Sequence, residues 1–144
     1  MNVVSILNAN KSGEFSKTKA PDFSPEIQIF SRTKITLPGV NGLHFENLSD
    51  IIFIQAEGNY SVVHFPQNRR IWVCRTLRDL EKVVNDDQRF VRIHRSFCIN
   101  LEKLQRYQKG KGGQVFMEDG HCIQVSQAKK LHFFNALEAY FGEF

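Results

Sequence analysis

From about Ile27 onward the chain breaks into short runs of alternating apolar and polar residues, each closed by a turn signal. Ile27-Gln28-Ile29 alternates, as does Lys34-Ile35-Thr36-Leu37, which runs into Pro38-Gly39 and Asn41-Gly42. Leu43-His44-Phe45 precedes the turn Asn47-Leu48-Ser49-Asp50, and Ile51-Ile52-Phe53-Ile54 precedes Glu57-Gly58-Asn59. Tyr60 to Phe65 is stopped by Pro66, and Gln67-Asn68 suits a hairpin into Arg69 to Cys74. A period of two with turns this closely spaced reads as many short strands. Further strands are expected at Val91–Ile93, Leu104–Gln108, Gln114–Glu118 and Cys122–Val125, with turns at 109–113 and at Asp119-Gly120.

Two segments carry the helical period instead. Thr76-Leu77-Arg78-Asp79 has the shape of a capping box, and Leu77, Leu80, Val83 and Val84 follow at helical spacing. The second helix is expected from about Ser126 to Phe141, with Leu131, Phe134, Leu137 and Phe141 as its apolar stripe. The whole reads as a mostly β domain with one short central helix and one C-terminal helix. Residues 8–26 are rich in Asn, Ser, Lys and Gly. The expected division is therefore a flexible leader over 1–26 and a folded domain over 27–144.

Composition narrows the classes. With 42% hydrophobic residues and 13 Phe in 144, a sizeable core can be buried, so wholesale disorder is excluded. No apolar run approaches the ~20 residues that cross a bilayer, and no membrane partner is expected. Met1 to Asn10 lacks the basic start of a secretory signal. Three cysteines, an odd number, speak against a disulfide framework and suit a reducing cytosol. A cytoplasmic location is expected.

The net charge of +4 is mild, but its distribution is not. Residues 1–68 carry five basic and six acidic side chains, residues 69–111 twelve and five, residues 112–144 two and four. The middle third thus holds a net +7 between flanks of −1 and −2. Eight of its twelve cations are Arg, the side chain suited to bidentate contact with phosphate or guanine. Clustered cations are the footprint of a nucleic-acid binder, although a solvated basic face balanced by acids elsewhere would give the same count.

Three segments stand out as candidates for contact. In Phe90 to Asn100, Val91 and Ile93 alternate inward, so Arg92 and His94 point the other way and Arg95-Ser96 falls where the strand gives out. These groups supply donors to phosphate or to base acceptors. Alternatively, Arg92 pairs with an acid such as Glu57 and His94 is half-buried and satisfied. At the start of the last helix, Ser126 is a candidate N-cap, and Lys129 and Lys130 face the positive end of the macrodipole, at a cost of ~0.3–1 kcal/mol per charge. Contact with a phosphate would turn that cost into an advantage. At Ala56 to Tyr60, Gly58 permits a tight reversal that presents Asn59 and Tyr60, an adenine reader and a phosphate donor.

Phe90 to Asn100, together with Ile51–Tyr60 and Val125–Leu131, resembles the LytTR DNA-binding domain of bacterial response regulators of the LytR/AlgR family. The carrying motif is Arg92-Ile93-His94-Arg95-Ser96-Phe97 followed by Ile99-Asn100 after a Leu-rich helix, and the likeness spans roughly Ile29 to Ala139. It implies an elongated arrangement of small antiparallel β-sheets that reads double-stranded DNA with loops in successive major grooves. Mapped here, those loops are Asn59-Tyr60, His94-Arg95-Ser96 and Ser126-Gln127 with Lys129. It also implies paired or tandem half-sites with two protomers per site. Many members carry Arg beside the Ser of the last loop; Gln127 stands there in this chain, which implies a different target sequence. Fewer than 30 residues precede the module, too few for a receiver domain. No phosphoacceptor is expected in cis, and control is expected from expression level, a partner protein or the leader.

Other classes fit less well. Cys74, Cys98 and Cys122 have no zinc-ligand spacing, so small buried strand residues are their expected identity, with no metal or cofactor. His94 with Glu57 lacks any accompanying nucleophile motif or phosphate loop, so no enzyme is expected. An RNA-binding regulator is an alternative, but no RNP-like aromatic motif is present. A protein-interaction module is another, with a partner on the C-terminal helix through Phe133, Phe134, Tyr140 and Phe141.

Overall fold

The computed structural model describes residues 33–144. The leader expected over 1–26 and the alternation at Ile27–Ile29 lie outside the described residues. The strands are β1 (Lys34–Gly39), β2 (Gly42–Asn47), β3 (Phe53–Glu57), β4 (Tyr60–Phe65), β5 (Arg69–Val73), β6 (Phe90–His94), β7 (Phe97–Asn100), β8 (Leu104–Gln108), β9 (Gln114–Met117) and β10 (Cys122–Gln124). Helix α1 spans Leu77–Val83 and helix α2 spans Lys130–Phe141. The first seven strands form one sheet in the order β2-β1-β5-β4-β3-β7-β6, and the last three form a second in the order β10-β9-β8. Every pairing is antiparallel, as short strands joined by tight turns require.

The turns are local chemistry. Gly58 takes φ 63 as the first residue of the two-residue β3–β4 turn, so Glu57 pairs directly with Tyr60. Gln67 and Asn68 both take positive φ, 62 and 60, in the β4–β5 turn. Helix α1 starts as its sequence predicts: Thr76 Oγ1 accepts a hydrogen bond from the Asp79 amide at 3.1 Å.

Alternation along the strands sends side chains into two cores, one on each face of the large sheet. On one face Ile35, Leu37, Ile54, Val63, Ile71 and Val73 pack under Leu77, Leu80 and Val84 of the α1 region. On the other, Phe53, Val91, Ile93 and Ile99 meet Val115, Met117 and Ile123 of the small sheet and Phe133 and Leu137 of α2. Buried Asn100 joins the layers' backbone: its Nδ2 donates to the Ile51 carbonyl at 2.8 Å, and its Oδ1 accepts from the Glu102 amide at 2.9 Å.

Several expectations are corrected. The strand expected at Ile51–Ile54 runs from Phe53 to Glu57, because the two-residue turn lets pairing continue up to the glycine. The alternation of the sequence does not predict strand β7. Phe97 to Asn100 is nearly all apolar, without alternation, because it lies between β3 and β6 and is covered on both faces. The final helix begins at Lys130, after a 3-10 turn over Gln127–Lys129, and the Ser126 side chain makes no cap bond. Its buried stripe is Phe133 and Leu137 flanked by Phe134, Ala136 and Tyr140, while Leu131 and Phe141 are 74% and 55% exposed. Of the cysteines only Cys98 is buried, where desolvation pushes its thiol up to about 12; Cys122 is exposed.

Candidate nucleic-acid interface

Strand direction determines which loops share an end of the molecule. β3, β6 and β10 run toward one end, and there three backbone contacts continue the pairing past the strands. The Ala56 amide donates to the Ser96 carbonyl at 2.8 Å, which sets the β6–β7 turn beside the β3–β4 turn. The Ser126 amide donates to the Ile93 carbonyl at 2.9 Å, which ties the entry to α2 to the same turn. The Val125 amide donates to the Gly113 carbonyl at 3.1 Å, bringing the 109–113 loop alongside. Thus Asn59-Tyr60, His94-Arg95-Ser96 and Ser126-Gln127, far apart in sequence, lie at one end in a row.

Their side chains differ in freedom. Asn59, Tyr60, Arg95 and Gln127 are exposed, whereas Ser96, Ser126, Lys129 and Lys130 are half-buried. No hydrogen bond or ion pair engages the Arg95 guanidinium among the described residues. His94 is half-buried, its ring 5.6 Å from that of Phe97, and its Nδ1 accepts from the Ser96 amide at 3.0 Å. An accepting Nδ1 places the ring proton on Nε2 in the neutral tautomer. That bond fixes the turn on which Arg95 stands.

Arg92 is not an open donor. Its Nη1 lies 2.6 Å from Glu81 Oε1 on α1, its Nε donates to the His94 carbonyl at 2.8 Å, and its Nη2 donates to the Arg95 carbonyl. The strand face expected to be exposed is instead packed beside α1, and the acid is Glu81 in place of Glu57. A bulge between Arg92 and His94 bends the strand end and helps aim these groups. Pairing also consumes part of the basic third. Arg69 is bonded through two nitrogens to Glu46, and Arg89 through two to Asp87. The Glu46 carboxyl is correspondingly held below its usual range by the Arg69 hydrogen bond.

The remaining cations are distributed by fold. Arg75 lies one residue beyond Cys74, whose amide donates to Pro38, and its carbonyl accepts from buried Ser61 Oγ at 2.8 Å. Arg75 therefore stands beside Tyr60, exposed. Lys109 and Lys111 lie in the loop alongside Val125 and Ser126. Asp50, Asp86, Asp87, Glu102, Glu118 and Asp119 occupy the connections at the other end. Sequence reasoning did not single out Arg75, Lys109 or Lys111. The available signal was their position just past strand ends in an up-and-down chain, where alternate ends fall on the same side.

Comparison with known proteins agrees with this architecture. Residues 41–138 match the LytTr DNA-binding domain family model, and the chain belongs to that family. It is a family of DNA-binding domains and not of enzymes. The chain is 27% identical over 121 residues to the CO-responsive transcriptional regulator RcoM of Rhodospirillum rubrum, covering 81% of this chain and 50% of the relative. The chain thus spans half the length of the curated relative it matches. Its fold is shared with the LytTr DNA-binding domain of a methyl-accepting/DNA response regulator from Bacillus cereus, at a TM-score of 0.64 and 20% identity over 74% of this chain and 98% of that one. No helix among the described residues is long and apolar enough to cross a membrane.

Proposed function

We propose that this chain is the DNA-reading part of a bacterial, cytoplasmic transcription regulator that binds double-stranded DNA at paired or tandem half-sites, one protomer on each. The observation that carries this reading is the convergence of three loop segments on one basic end. Loops presented by a rigid sheet can enter successive major grooves without a recognition helix. Arg95 and Asn59 are the base readers, since both are exposed and neither side chain is hydrogen-bonded among the described residues. Tyr60, Ser96, Ser126, Gln127, Lys129 and Lys130 line the path of the phosphates, and Arg75, Lys109 and Lys111 extend it on either side. Arg92 and His94 act as positioning residues, holding the Arg95 turn through the carbonyls and the amide they bind.

Selection from random duplexes tests the proposal: enrichment of a motif with two related half-sites is expected. Failure to enrich any motif, or displacement of labelled duplex by matched RNA at fixed salt, contradicts it. A partner docked on α2 has less support. Phe133 is fully buried, Phe134 is packed against Tyr107, and the Tyr140 hydroxyl donates to Glu102.

A further inference from the structure

Among the described residues, strand β2 is an open edge of the seven-stranded sheet. The opposite edge, β6, is bonded at its end to Ser126 and flanked by α2, whereas among the described residues β2 pairs only with β1. Pairing alternates along that hairpin. Pro38, which has no amide hydrogen, stands opposite Leu43, and the Leu48 amide donates to the Thr33 carbonyl at 2.9 Å. Even-numbered residues of β2 therefore bond to β1, and the backbone N–H and C=O groups of Leu43 and Phe45 point away from the sheet. Their side chains are 61% and 62% exposed on one face.

Edges are ordinarily protected by Lys, Pro, a bulge or an inward charge. β2 contains no Lys or Pro, and its register with β1 is unbroken. The one carboxylate, Glu46, is neutralised by the bidentate Arg69. The His44 ring does not obstruct the edge, since it leans back over Gly39, where an added Cβ would lie 2.9 Å from it.

We propose that this edge joins two copies of the chain by antiparallel β2–β2 pairing. A two-fold axis at His44 sets Leu43 of one copy opposite Phe45 of the other. Both residues have outward backbone groups, so each pair exchanges its N–H···O bonds while the apolar side chains meet on one face. Glu46 then faces Gly42 of the other copy, and no like charges meet. The axis reverses strand direction, which puts the two basic ends at opposite ends of the joined sheet. Such a pair would hold two separate stretches of duplex, unlike protomers on adjacent half-sites.

The test is sedimentation of the full chain from about 1 μM to about 1 mM, with amide exchange measured at both limits. The expected result is a monomer–dimer equilibrium in which exchange at Leu43 and Phe45 slows with concentration while His44 does not change. Phe45→Lys and Leu43→Lys should each raise the dimer Kd at least about tenfold, with binding to a single half-site retained. A monomer at every concentration, or a dimer indifferent to both lysines, overturns the proposal. Protection of Leu43 and Phe45 independent of concentration also overturns it, by assigning the edge to the chain's own residues 1–32. The exchange measurement on the unaltered chain stands even if a variant misfolds.

Discussion

The Arg92 guanidinium lies 2.6 Å from the Glu81 carboxylate, so the strand that carries the Arg95 turn is clamped to helix α1. The same guanidinium holds the carbonyls of His94 and Arg95. A side chain that resembles a DNA contact by type and position thus shapes the loop proposed to make one.

Glu81→Gln is expected to lower stability by about 1–2 kcal/mol, between the limits for exposed and buried ion pairs. Urea unfolding measures it. DNA affinity should fall in parallel in Glu81→Gln and Arg92→Ala. If Arg92 bound phosphate itself, releasing it from Glu81 would leave affinity unchanged or improve it.

Arg95→Ala should cost ~1–3 kcal/mol on the selected site and relax preference at one base position. Lys129→Ala should weaken all duplexes alike and reduce the salt slope by ~1. Salt titrations on specific and random duplexes separate the two; equal losses on both from Arg95→Ala would remove its base-reading role.

His64 gives a pH dependence. Its ring is stacked on Phe53 at 4.1 Å, edge-on to His121 at 5.2 Å, and bonded to Gln55 Oε1 at 3.0 Å. Burial, then the neighbouring His121, lowers its pKa to about 4. The folded form is neutral while the unfolded form takes a proton below its ordinary value of about 6.5. Stability from this group is therefore full above about pH 6.5 and lost as pH falls toward 4, by about 1–3 kcal/mol. His64→Phe should flatten that part of the stability–pH curve measured by denaturant unfolding.

Asn100→Ala should cost about 1–3 kcal/mol, because the Ile51 carbonyl loses a buried partner. A shift of the thermal midpoint with an unchanged selected DNA motif is the expected pair of results.

What was legible in the sequence was what neighbours in sequence determine. The Thr76 cap, the Gly58 and Gln67-Asn68 turns, the stop of β4 at Pro66 and the alternation of β5 each depend on a few adjacent residues. Strand β7 escaped because burial on both faces erases alternation, and the α2 stripe was displaced because several registers of that Phe-rich helix are apolar. For the site, the three segments were legible separately from their residue types, and the family resemblance linked them as one set of loops. Their convergence depends on the Ala56–Ser96 and Ile93–Ser126 bonds, which join residues 40 and 33 positions apart. Formal charge counting also missed that Arg69, Arg89 and Arg92 are neutralised by their own acids.

The most direct test is an amide chemical-shift titration of the chain with a selected duplex. The account predicts that the largest perturbations fall on Gly58–Tyr60, His94–Ser96 and Ser126–Lys130, with Arg75, Lys109 and Lys111 following. Perturbations centred instead on the acidic end around Glu102 and Asp119, or confined to only one of the three segments, would contradict it.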